Sequence, residues 1–133
     1  MHGLSPSAAR AYDRAMVDLH PSDVDATVPP SGTGCAECDD VDGWWVHLRR
    51  CAACGHVGCC DSSPGQHATA HWRATRHPVM QSFEPGEDWG WHFAREESVD
   101  GLELAPPTAR PESQPAPGPE GRVPDDWRRR IHR

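Results

Sequence analysis

Six cysteines constrain this chain more than any other feature of its sequence. Four of them fall in the stretch "CAACGHVGCCDSSPGQHATAHWRATRH", Cys51 to His77, with four of the nine histidines. Cys35 and Cys38 form a C-x2-C pair, and Cys51 and Cys54 form a second. That spacing lets two thiolates grip one ion from a tight turn. Cys59, His67, His71 and His77 follow, which makes eight candidate ligands. Zinc in a structural site takes four ligands in a tetrahedron, so eight fill two sites and leave no position open for chemistry. His67 and His71 are four residues apart and share one helix face, near enough to serve one ion or two adjacent ones. Cys60 is left over, either as a free thiol or in place of Cys59. His47 and His56 read as non-ligands, although either could replace one of the eight.

Composition explains why a metal is needed. The chain has 133 residues, only 36% hydrophobic, diluted by 14 Pro and 12 Gly. Such a chain builds one small domain with a thin core, which calls for a staple. The stretch "MHGLSPSAARAYDRAMVDLH" has no long apolar run, so no signal peptide is expected, and nothing approaches a membrane span. The expected location is the cytoplasm, where thiols stay reduced and six cysteines read as metal ligands before disulfides. All 13 basic residues are Arg, a bias suggesting a GC-rich bacterial coding sequence.

Three regions are expected. Residues 1–30 read as a short helix and linker, with Ser5 or Ser7 capping a helix that carries Ala8, Ala9, Tyr12, Ala15, Met16 and Leu19 and ends at His20-Pro21. Residues 31–103 hold every cysteine and form the ordered domain. Strands are expected early in Gly43–Cys51, in His77–Pro85 and in Asp88–Phe93, and a helix from near Gly65. The fold class is α+β: a small zinc-stabilised domain with a twisted antiparallel sheet and one or two helices between flexible tails. Residues 104–133 are rich in Pro, Ala, Gly, Glu and Ser and read as a disordered tail. Net charge is −2, −7 and +2 over the three regions. The basic end "DDWRRRIHR" is expected to be a solvated tail with no specific contact, the alternatives being that it folds back onto the acidic domain or meets an acidic partner.

"CGHVGC", then H-A-x-x-H at His67–His71, then T-x-H-P at Thr75–Pro78, resembles the UBP-type zinc finger, an accessory domain of deubiquitinating enzymes and of one histone deacetylase. The resemblance covers about residues 33–93, in a bacterial-looking stand-alone version. It implies two interleaved zinc sites, one of Cys35, Cys38, Cys59 and His67, the other of Cys51, Cys54, His71 and His77. It also implies a pocket that grips the free Gly-Gly tail of ubiquitin, with Trp89 and Trp91 as aromatic walls. Where the family reads C-G-R, this chain reads Cys59-Cys60-Asp61. A guanidinium that attracts a carboxylate is replaced by a carboxylate that repels one. Arg73 and Arg76 are the candidate substitutes.

The expected function is a non-catalytic zinc-binding module that recognises a protein or peptide, including the C-terminal tail of a ubiquitin-like protein, as a monomer. The alternative is a zinc-thiolate redox or regulatory protein, because His47-x3-Cys51-x2-Cys54 has the spacing of zinc anti-sigma factors and Cys59-Cys60 adds vicinal thiols. The formal charge of −7 argues against nucleic acid as partner. No open-site zinc motif or phosphate loop appears, so no enzyme is expected.

Overall fold

In a computed structural model the chain is described over residues 19–132. The helix expected over the first 19 residues lies, except for Leu19, outside that range. His20 is extended and caps a 3-10 turn, Pro21–Asp23.

Five short strands make one antiparallel sheet: β1 Leu48–Cys51, β2 Val57–Cys59, β3 Val79–Ser82, β4 Gly90–His92 and β5 Glu97–Val99. Their order is β2-β1-β3-β4-β5. Two helices accompany them, α1 Ala36–Asp40 and α2 His67–Thr75. The α+β class is therefore observed. Strands are present within His77–Pro85 and Asp88–Phe93, each shorter than its span, whereas the strand expected early in Gly43–Cys51 is found only at the end of that stretch. The stretch from Gly43 becomes a strand only at Leu48, because Trp45 pairs elsewhere, with Gly118. β2, β5 and α1 were not expected. At three to five residues they are too short to show a period.

Local chemistry sets these elements. β1 turns into β2 through Cys51-Ala-Ala-Cys-Gly, closed by Gly55 N–H donating to Cys51 O at 2.9 Å. Gly55 has φ +81°, and a Cβ there would lie 2.2 Å from Pro29 O, so only glycine fits. Helix α2 starts after Gln66 at φ 49° and stops at Arg76, φ 62°, just before His77-Pro78. The residue before a proline disfavours helix, which fixes the stop. α2 lies close on β2, since a Cβ at Gly58 would come 2.9 Å from Ala68 N.

Two apolar clusters fill the interior. One gathers Trp45, Leu48, Val57 and Phe83 around Cys35, Cys38 and Cys59. The other joins Ala52, Val79, Val99, Leu102 and Leu104, with Leu19 and Val24 packed against it.

The segment after Leu104 corrects the expectation of a disordered tail. It runs along the domain as a strap. Arg110 N–H donates to Phe83 O at 2.8 Å, and Trp45 and Gly118 exchange both backbone bonds at 2.8 and 2.9 Å. Arg122 pairs with Asp39 at 2.7 Å and lies over the Trp45 ring at 5.7 Å. His132 N–H reaches Ser62 O at 3.0 Å. Composition misleads here because guanidinium groups and backbone amides, not apolar side chains, make the attachments. Arg50, 1% exposed, donates to Val28 O and Pro107 O and so ties both flanking segments to β1.

Candidate metal centres and the adjoining groove

The eight candidate ligands come together in two groups of four. Cys35, Cys38, Cys59 and His67 form one, and Cys51, Cys54, His71 and His77 the other, with ligand atoms within 4.8 Å of one another in each. In the first, His67 Nδ1 is 3.3, 3.4 and 3.4 Å from the Sγ atoms of Cys35, Cys38 and Cys59. Cys38 and Cys59 Sγ are 3.9 Å apart. With Zn–S of about 2.3 Å and Zn–N of about 2.0 Å, a tetrahedron has S···N edges of about 3.5 Å and S···S edges of about 3.8 Å. The cluster has those dimensions. In the second, Cys54 Sγ is 3.4 Å from His71 Nε2, and Cys51 Sγ is 3.6 Å from His77 Nδ1.

The protonation chemistry also fits a cation. The bond to Cys38 pulls the Cys35 thiol down, but the bond to Cys59, burial and the Cys59 charge outweigh it and push it up. Bonds to Cys35 and Cys59 and burial push Cys38 up, while bonds from those two thiols pull Cys59 down. Thiolates packed this closely repel one another, and a divalent ion would remove that repulsion. Backbone N–H groups of Cys38 and His67 already donate to the Cys35 and Cys59 sulfurs at 3.4 and 3.3 Å. Burial, then the neighbouring His56 and His77, lowers His71 to about 4, keeping it as the neutral imidazole a metal needs. Both donor sets are closed, and both fit two structural zinc ions.

α1 and the turn after β1 each present a C-x2-C pair, and α2 lends His67 to one group and His71 to the other. His56 joins neither. Its ring stacks on His71 at 4.1 Å and 3°, and its Nε2 lies 2.7 Å from Glu37 Oε2. Glu37 stands between Cys35 and Cys38, so this contact links the two centres. Cys60 is in neither cluster. It is buried against Ser63, 3.5 Å away. Burial pushes its thiol up, but bonds from His47 and Ser63 outweigh this and bring it down to about 7. His47 is therefore the partner of Cys60, and the second cluster draws on His71 and His77 instead.

Beside the first centre, between α2 and the β3–β4 side of the sheet, lies a groove of 440 Å³. Trp89, Trp91 and Asp61 all line it. The two tryptophans are i and i+2 and face the same way. Trp91 pairs with Met80 across the ladder, and Trp89 is 38% exposed. Arg73 and Arg76 do not line it, and Arg76 lies over Trp72 at 5.0 Å. The cation in the groove is Arg49, whose guanidinium sits over Trp89 at 4.7 Å. Strand alternation was the available signal, because Arg49 shares a face with the ligand Cys51, two residues on.

A small antiparallel sheet, two helices and two closed Cys/His centres define a zinc finger of structural type. Residues 35–104 match the family described as "Zn-finger in ubiquitin-hydrolases and other protein", and the chain belongs to that family. No curated protein matches. The solution NMR structure of a Rhodopseudomonas palustris protein is similar, with 42% identity, a TM-score of 0.57, 78% of this chain covered and 92% of that one. That share exceeds what residues 35–104 can supply, so the similarity continues into the flanking segments. Among the described residues no helix is long and apolar enough to cross a membrane.

Proposed function

We propose that this chain is a non-catalytic recognition module whose groove binds the C-terminal segment of a protein or peptide, including the tail of a ubiquitin-like protein. Trp89 and Trp91 wall the groove, and Arg49 takes the place of the cation lost at Asp61. One observation carries the reading. Arg49 lies over Trp89 in the groove and, among the described residues, no carboxylate pairs with it. A stacked guanidinium with free donors is suited to a carboxylate. The zinc centres hold the walls in place and take no part in binding. Under this reading the protein acts as a monomer in the cytoplasm, where its thiolates stay reduced.

Calorimetry of the zinc-loaded protein against a peptide ending in Leu-Arg-Gly-Gly tests it, with the amidated peptide as control. The free acid should bind and the amide should bind at least about tenfold more weakly, as loss of a charge-assisted pair implies. Arg49→Ala should remove that difference. Equal binding of acid and amide would refute the carboxylate role.

A second reading, as a zinc-thiolate redox protein, draws on one feature: Cys60 lies outside both clusters and beside His47. It requires that modest peroxide release zinc and that Cys60→Ser abolish the release.

A further inference from the structure

The groove holds two opposite charges that do not neutralise each other. Arg49 Nη1 donates to Leu48 O at 3.1 Å and to Ser82 Oγ at 3.5 Å, and its guanidinium lies over Trp89. Asp61 Oδ1 accepts from Thr69 Oγ1 at 2.5 Å, and Asp61 O accepts from Gln66 Nε2 at 2.9 Å. Arg49 is thus anchored to the sheet, and Asp61 to the first turn of α2. Among the described residues neither enters an ion pair, although both line the same cavity. Each charge is held by neutral partners on a different element, Arg49 by the sheet and Asp61 by α2. Neither can swing across to the other without giving up its hydrogen bonds.

We propose that Asp61 is a specificity-determining residue, and that the groove selects a C-terminal segment carrying a basic side chain a few residues before its end. This rests on the proposed function above and sharpens it. Arg49 meets the carboxylate, the tryptophan walls hold the intervening backbone, and Asp61 meets the Arg or Lys side chain. Opposite charges fixed on different elements of the same groove favour a ligand with the matching pair in the matching order. They also reject a ligand whose upstream residue is acidic, because it would face Asp61. The Asp at this position therefore changes what the groove reads instead of closing it. Thr69 matters to this because its hydroxyl holds the carboxylate in one orientation. Asp61 is exposed, so its contribution is one of selectivity more than of affinity.

The test uses zinc-loaded full-length protein and a set of hexapeptides ending in Gly-Gly. Each carries Arg, Ser or Glu at the third, fourth or fifth position from the end, as free acid and as amide. For at least one position Arg should bind about fivefold tighter than Ser, and Glu more weakly than Ser, as an exposed charge pair allows. Asp61→Asn should bring Arg and Ser within about twofold while the preference for acid over amide survives. Asp61→Arg should reverse the order of Arg and Glu. An Arg preference that persists unchanged in Asp61→Asn, or no Arg preference in the wild type, overturns the inference and leaves the carboxylate reading standing. Loss of the acid–amide contrast with the Arg preference intact overturns the carboxylate reading alone. No binding by any peptide overturns both.

Discussion

Arg110 lays its guanidinium on Glu84, with Nη2 and Nε 2.7 and 2.9 Å from Oε1, and both side chains are less than a tenth exposed. The other carboxylate oxygen of Glu84 accepts from Leu48 N–H at 2.9 Å. Arg110 also donates to Pro111 O and Gln114 O. One buried ion pair thus connects the strap to the first residue of β1. Breaking such a pair from one side leaves a buried charge with no partner. Arg110→Ala should lower the unfolding free energy of the zinc-loaded protein by about 3–5 kcal/mol in denaturant titration. Glu84→Gln with Arg110→Met, which keeps an acceptor for Leu48 N–H, should recover part of it.

Removing the strap should be felt at Trp45, which is 3% exposed. A chain ending at Leu104 loses both Trp45–Gly118 backbone bonds, the Arg122 contact and the partner of Glu84. Amide exchange at Trp45 should accelerate by at least about a hundredfold, reporting its protection directly. Unchanged exchange would show that the strap is not a structural part of the domain.

The zinc centres set the stability of the whole. The described protein should bind two equivalents of zinc, and a chelator should unfold it. Cys60→Ser should keep two equivalents, because its sulfur serves neither cluster. Cys59→Ser should not. Spectrophotometric zinc release after thiol modification distinguishes the two variants.

His56 should act on the second centre without being a ligand. Its ring covers His71 and its Nε2 meets Glu37. An aromatic pair of this kind contributes about 0.5–1.5 kcal/mol. His56→Ala should therefore weaken binding of one zinc by about two- to tenfold in competition with a chelator. An unaltered affinity would reduce the contact to incidental packing.

The zinc ligands were legible because their chemistry is written in spacing. C-x2-C and the i,i+4 histidines work within one turn or one helix, where sequence distance maps onto space. That Trp89 and Trp91 face the same way was legible for the same reason, as i and i+2 of one extended stretch. Strand alternation puts Arg49 on the face of Cys51, but its place in the groove depends on the pairing of β1 with β3, a contact 33 residues away at Ser82, which spacing alone does not show. The strap was invisible for a different cause. Its sequence carries little apolar surface, and composition counts that alone. Its hold comes from Arg110, Arg122 and the amides of Trp45 and Gly118, which no compositional measure weighs.

A single turn of α2 separates His67 from His71, and each serves a different centre. The helix is therefore a ruler, with a rise of about 6 Å over four residues. Inserting one residue between them would rotate the second imidazole by about 100° and pull one of the two out of its tetrahedron. Loops on either side of α2 can lengthen with little cost, since loop closure depends weakly on length. Residues 67 to 71 have no such freedom. A lineage carrying this fold can lengthen those loops, yet it must count correctly across these five positions.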